Sequence, residues 1–387
     1  MMINGKGFTR LLSSYEDGRD SFLPDGVTNI CATYSIKAIR DSGAPVRLQT
    51  NLLDTQNFSA TDPRDKLFAL LGFVTDGDDT ALHPDYHESK TTQVTYTNHT
   101  AYLIARDCSL EILHAAGIGF PRSLVSLPSW VVDWSCPPTG TTLGAIAKRA
   151  EYRAAGNSEV RVLEGTKDSD LPELVIEGCF VDKIKMVCLP SPEHVNYADP
   201  SLGNPLRREE FAWFKSTSLV IDSLKPYPTG EEGPRERQRR RSMSDFDSYW
   251  ALKYLILTRE SQGTVRGATP DMVHGSERWT AAWSPVIKRV LFMTDRGYAG
   301  LGPPGLKHGD AVSILYGGAT PFILRNGTAG ENSKLRHVVV GECYIHGLMN
   351  GEGAVEGVWA RWDFVSLGHQ VVFPDDASQE GGRSASD

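Results

Sequence analysis

A chain of 387 residues, 40% of them hydrophobic and 23% charged, has the apolar content for a sizeable core spread over two or three domains. Its net charge of −8 excludes a general polyanion binder, and no stretch approaches the roughly 18 uncharged apolar residues of a membrane span, so neither nucleic acid nor membrane is expected as a partner. The six cysteines, at 31, 108, 136, 179, 188 and 343, form no C-x-x-C pair and no regular spacing, which indicates reduced thiols in a cytoplasmic protein rather than a disulfide framework or zinc site.

Residues 1–60 are weakly patterned and read as a lead-in, with Leu11-Leu12 and Ile36–Ile39 as short helical candidates. Thr61-Asp62-Pro63-Arg64-Asp65-Lys66-Leu67-Phe68-Ala69-Leu70-Leu71-Gly72 is punctuated as a helix. Asp62 or Thr61 caps it, Pro63 takes the first helical position, Asp65 faces the positive end of the dipole, and Gly72 offers a left-handed stop. An acidic loop at 76–79 and a turn at His83–Tyr86 lead to a second amphipathic helix over 88–106, which Ser109–Ala115 continues until Gly117–Pro121 ends it.

At Leu127 the period changes to two. Trp130, Val132 and Trp134 alternate along Leu127-Pro128-Ser129-Trp130-Val131-Val132-Asp133-Trp134-Ser135, which predicts a tryptophan-bearing core strand. Ala145–Ala155 is a short helix or loop, and Leu174–Val187 reads as strand, turn and strand. Segments 205–222 and 245–260 are predicted helical, with a mobile Pro-, Gly-, Glu- and Arg-rich loop at 226–244 between them. From 287 the pattern is all β: Arg289–Thr294, Tyr298–Leu301, Ala311–Tyr316, Pro321–Arg325 and His337–His346, then Val358–Leu367. The expected fold is therefore α+β. A mainly helical region over 61–275 precedes a small SH3-like β-barrel over 283–370 and a disordered tail over 371–387.

The candidate chemical groups are few. Gly300-Leu301-Gly302-Pro303-Pro304-Gly305 matches G-x-G-x-x-G, but two prolines remove amide donors and a strand follows, so it reads as a turn rather than a phosphate loop. His83 and His87 flank a proline turn, and His308, His337 and His346 are scattered; no metal or cofactor is assigned. Arg64-Asp65 is read as a helix-start pair, with a functional ion pair as the alternative. Trp130 and Trp134 are placed in the core, with an exposed recognition surface as the alternative. The basic run Arg235–Arg241 is a solvated loop, and Ser242 beside it fits a basophilic phosphosite.

Asp62-Pro63-Arg64-Asp65-Lys66 with Phe68–Gly72, Pro84-Asp85-Tyr86, Leu127–Trp130 and Asp133-Trp134-Ser135 together resemble the fungal heterokaryon-incompatibility (HET-domain) proteins, in the region just downstream of the HET domain. Farther on, Thr294–Gly305, with Gly297, Gly300, Gly302 and Gly305, is similar to that family's glycine-proline motif. Gly309-Asp310, Pro321–Arg325 and Gly341-Glu342-Cys343-Tyr344-Ile345-His346-Gly347 follow in the same order. Val132 stands where the family has proline. The N-terminal HET domain, the part linked to cell death, is not recognised in the first 50 residues.

The resemblance implies a setting of non-self recognition and programmed cell death, and it transfers no catalytic residue. The expectation is a non-enzymatic regulatory or interaction module that lacks the effector domain and binds a protein partner. One alternative is an enzyme or ligand-binding domain using the barrel, with Asp295, Arg296, His308 or His346 at a cleft; another is a truncated gene model of a full HET protein.

Overall fold

A computed structural model describes residues 25–137, 142–143, 152–163, 174–190, 228, 289–329, 335–352 and 363–367. The predicted helices at 205–222 and 245–260, the basic loop with Ser242 and the tail over 371–387 lie outside them.

Helices come first. α1 (Asp25–Asp41) extends well beyond the expected Ile36–Ile39 and buries Ala32 and Ile36. α2 (Leu48–Asp54) falls in the stretch read as a weakly structured lead-in, with Leu48 and Leu52 fully enclosed. The helix expected over 61–72 shrinks to α3 (Asp65–Phe68) and a 3-10 turn at Leu71–Phe73. Several amides here bond three residues back, as Leu67 does to Arg64 and Leu70 to Leu67. Beyond them the chain doubles back, so that a Cβ on Gly77 would lie 2.0 Å from the Leu71 carbonyl oxygen, and a longer helix has no room. Gly72 is accordingly not left-handed.

α4 (Thr92–Asp107) matches the second predicted helix, but it starts four residues later because the Thr91 side chain caps the Val94 amide at 3.3 Å. Its buried stripe includes Tyr96, Thr100, Leu103 and Ile104. Cys108, at φ 46, adopts the left-handed conformation and breaks the helix, so Glu111–Ala115 is a separate 3-10 segment rather than a continuation.

The tryptophan segment is not a strand. Its bonds are turns, Val131 amide to Pro128 carbonyl at 3.0 Å and Cys136 amide to Asp133 carbonyl at 3.1 Å. Val131, between the supposed inward positions, is as buried as Trp130 and Trp134 on either side of it. All the apolar side chains of this loop enter the core, which a strand with one solvated face cannot arrange.

The strands are β1 (Val162–Leu163), β2 (Leu174–Pro190), β3 (Val290–Thr294), β4 (Ala299–Gly302), β5 (Ala311–Leu315), β6 (Phe322–Ala329), β7 (Leu335–Glu342), β8 (Tyr344–Ile345) and β9 (Asp363–Leu367). They form one sheet in the order β5-β6-β7-β9-β2-β3-β4-β8, with β1 on β2. Pairing is antiparallel except between β7 and β9. The α+β content is as expected, and the strands expected over 283–370 join, among the described residues, a nine-stranded sheet that reaches back to β1 and β2.

The reason is β2. Expected as strand, turn and strand, it is one strand of 17 residues with register shifts at Phe180/Asp182 and Ile184/Met186. Those shifts let it pair β9 and β1 first, β5 along its middle and β3 at its end.

Alternate residues feed two cores. Ile323 and Val340 join Val181, Phe292, Val312 and Ile314 in a cluster built from the strands, while Phe322, Leu324, Val339 and Leu315 turn the other way. That second face packs on Leu48, Leu103, Ile112, Trp130 and Trp134, so the helices and the tryptophan loop form a layer over the sheet.

Candidate functional site

Each sequence motif is a joint between segments far apart in the chain. In the first, the Asp62 carboxylate accepts the Arg64 amide at 2.9 Å and pairs with its guanidinium at 2.7 Å. Arg64 also donates to the Lys90 carbonyl at 3.1 Å and lies 5.0 Å from the Tyr86 ring centroid, and the Tyr86 hydroxyl donates to Asp65. The Pro63 carbonyl accepts the Tyr96 hydroxyl at 2.6 Å. Lys66 turns its ammonium onto the carbonyls of Gln56 at 2.8 Å, Phe58 at 2.5 Å and Thr55 at 3.3 Å, just past the end of α2 where orphan carbonyls collect. Burial pulls the Lys66 ammonium down to about 8. Arg64-Asp65 is thus part of a clamp rather than a bare helix start. The acidic loop does similar work, Asp76 taking both Arg106 of α4 and the Leu48 amide of α2.

The second joint is the tryptophan loop. Asp133 accepts the amides of Ser123 at 2.7 Å, Leu124 at 2.9 Å and Ser135 at 3.1 Å, and the Ser123 and Ser135 hydroxyls as well. Burial pushes its carboxyl up, but these donors outweigh burial and hold it below the ordinary carboxylate range. Arg122 gathers the carbonyls of Leu127, Pro128 and Val131. Ser129 Oγ accepts the Val339 amide at 3.0 Å, tying the loop to β7. Trp130 and Trp134 are enclosed, in keeping with a core role rather than an exposed surface.

The glycine-proline motif is the third. Gly300 and Gly302 lie in β4 and are buried, and a Cβ at Gly300 would sit 2.4 Å from the Phe292 ring and 2.6 Å from the Tyr344 carbonyl oxygen. Pro303 and Pro304 rest against Gly119, and Pro303 also meets Gly341. Asp310 pins the loop from below, accepting Arg325 twice at 2.8 Å and the Lys307 amide at 2.7 Å, while Arg325 also donates to the Gly305 carbonyl. Gly297 turns the chain between β3 and β4, and Gly347 turns it after β8, with Tyr344 buried beside it. Gly300–Gly302 thus belong to β4, and Pro303-Pro304-Gly305 is the turn after it, with Gly305 at φ 80.

Glu342, at the end of β7, is the fourth joint and is 0% exposed. One carboxylate oxygen accepts His114 Nδ1 at 2.6 Å, and the other accepts Arg289 Nη2 at 2.7 Å and the Leu143 amide. Burial pushes this carboxyl up, but Arg289, His114 and the Leu143 amide prevail and keep it ionised, below the ordinary range. His114 lies next to the end of the 3-10 segment and stacks on Phe322 at 5.6 Å between centroids. Three remote parts of the chain therefore converge on the Glu342 carboxylate. Sequence reasoning included Glu342 in a motif but passed over His114 and Arg289. The available signal was weak: His114 shares the run Leu110–Ala116 with Glu111, and Arg289 borders an apolar run beside Lys288.

The residues proposed for a barrel cleft separate. Asp295 and Arg296 are exposed on the β3–β4 turn, His308 is exposed in the following loop, and His346 is buried. His83 and His87 are exposed, and no group of three His, Cys, Asp or Glu able to hold a metal occurs among the described residues. No helix among them is long and apolar enough to cross a membrane.

Comparison with known proteins agrees with this arrangement. Residues 268–364 match the Het-6 beta-barrel domain. Over 343 residues, 76% of this chain, the sequence is 24% identical to heterokaryon incompatibility protein 6, OR allele, of Neurospora crassa. The chain spans 49% of that relative's length, and no solved structure matches. The resemblance to heterokaryon-incompatibility proteins carried by the motifs is thereby borne out.

Proposed function

We propose that the chain is a regulatory or interaction module of heterokaryon incompatibility that acts by binding a protein partner rather than by catalysis. Similarity to a heterokaryon-incompatibility protein supports the HET-related role. One observation carries the non-enzymatic part: the groups best suited to chemistry are committed to holding the fold. Glu342, His114 and Arg289 satisfy one another in the interior, and Asp133 is saturated by amides and hydroxyls. Cys343 is fully buried, and burial raises its thiol well above the usual range, against the thiolate a nucleophile requires. The pairing of β2 with both β9 and β5, which brings the ends of the β5-β6-β7-β9 run to one strand, supports a barrel as the scaffold of such a module.

The test has two arms. Expression of the chain in Neurospora crassa strains of differing incompatibility type is expected to change the survival of fused cells. The purified protein is expected to leave NAD and generic esters intact. Turnover of either substrate, abolished by a point substitution such as His114→Gln without loss of fold, would overturn the proposal.

A further inference from the structure

We infer that the helical layer, residues 46–137, docks on the sheet as a separable unit and that Glu342 is the latch that holds it closed. The two cores provide the dividing line. Val181, Phe292, Val312, Ile323 and Val340 form a cluster supplied by the strands, the turns between them and Ala155, to which the layer contributes, among the described residues, the partly buried Ile118, so most of it survives removal of the layer. Ile176, Leu315, Phe322, Leu324 and Val339, on the other face, lose their cover when the layer lifts.

Polar bonds cross this boundary at a few identified points. Ser129 accepts the Val339 amide, the Ile118 and Gly119 amides each donate across at 2.9 Å to the carbonyls of Val339 and Val340, and His114 donates to Glu342. Of these, the Glu342 contact involves an ionised group in full burial, where a bond to a charge is worth more than a neutral one.

The layer also carries a built-in opposing force. Asn51 Nδ2, His99 Nε2, Thr100 Oγ1, Trp130 Nε1 and Trp134 Nε1 are buried without a hydrogen-bond partner among the described residues. A buried unpaired polar group bears its full desolvation penalty, so those that opening wets, such as the indoles of the loop that Ser129 ties to β7, favour the open form. In the sheet, Ser313 Oγ and His337 Nδ1 are the described atoms in that state. Apolar contact and the latch thus hold closed a layer whose polar groups favour opening, and regions so balanced open below the global free energy. Opening uncovers the tryptophan loop and one sheet face while the strand-built core stays intact.

Hydrogen exchange of the full chain, followed by mass spectrometry, tests the latch. In His114→Gln, which cuts the arm that crosses the boundary and leaves Glu342 on Arg289, peptides from 92–137 are expected to exchange faster by on the order of tenfold, with peptides from 290–302 and 311–326 unchanged. Val312→Ala, in the strand-built core, is the control and is expected to speed exchange in both regions together. Should His114→Gln fail to fold, Ser129→Ala cuts a second crossing bond, to the Val339 amide, and is read in the same way. A parallel rise in both regions for the latch variant, or no rise in 92–137, overturns the inference.

Discussion

Replacing Gly117 by alanine probes the joint where the chain leaving the helical layer meets β7. A Cβ there would lie 2.3 Å from the Val340 carbonyl oxygen and 2.6 Å from its carbon, on a backbone at φ +135. Neither atom can move aside cheaply. The Val340 oxygen already accepts the Gly119 amide at 2.9 Å, and β7 is paired along its length with β6. A positive φ costs a side-chain-bearing residue about 1–2 kcal/mol, and forcing atoms into a filled space costs about 1–3 kcal/mol; the sum is about 2–5 kcal/mol. Gly309→Ala separates the two contributions, because its φ is +85 but nothing lies within 4 Å of the added carbon, leaving about 1–2 kcal/mol. Gly72→Ala carries neither penalty and is expected to be neutral or to stabilise by about 0.4–1 kcal/mol through the unfolded chain. Urea unfolding followed by the fluorescence of the buried tryptophans orders the midpoints, provided the slope is constant. A Gly117→Ala midpoint no lower than that of Gly309→Ala would refute the steric reasoning.

Four other outcomes follow from single sites. Cys108→Gly relieves a left-handed, exposed residue at the end of α4 and should raise the melting temperature, with a gain of about 0.5–1 kcal/mol. Asp133 has its folded pKa depressed, so its stabilisation is present above the unfolded value of about 3.9 and is lost as pH falls through the folded one. Asp133→Asn should flatten that acid limb in a urea–pH series and cost about 1–3 kcal/mol at pH 7. Burial also lowers His337, so the folded state holds it neutral, and stability should fall as pH drops below about 6.5, where the unfolded chain takes the proton. His337→Leu should remove that slope. Trp130→Phe should cost far less than Trp130→Ala, which should cost about 3–5 kcal/mol, because the indole N–H has no partner to lose; equal losses in chemical denaturation would contradict the unpaired N–H.

The strands between 290 and 345 were legible because turn residues mark their joins, and β3, β4 and β5 lie within a residue of the expected strands, whereas β6 runs four residues past its expected end. α4 was legible from its 3.6-residue stripe, though its start at the Thr91 cap was not. What failed were segments governed by distant contacts. Trp130, Val132 and Trp134 have the period of a strand, yet Asp133 and Arg122 hold the chain in turns by bonds to residues 123–135, and period alone does not register such bonds. The 61–72 helix was cut short by the return of the chain at Gly77, and β2 looked like two strands because its bulges resemble a turn in sequence. Of the buried network, Glu342 was visible in a motif. His114 and Arg289 were not, since pairing residues 114, 289 and 342 requires the fold first.

The same contacts give each of these motifs a structural task among the described residues. Lys66 reads the position of residues 55–58, Arg64 that of Lys90, Ser129 that of β7, and Glu342 those of residues 114, 143 and 289. Each side chain must satisfy groups in a second segment whose own position depends on the whole fold, so substitution at one end strands a buried partner at the other. Exposed positions are under no such double constraint. Val125, Phe73 and Ile30 are more than half exposed, and substitution at such a position strands no buried partner, so it should shift stability by no more than about 0.5 kcal/mol where the four joints cost several times that.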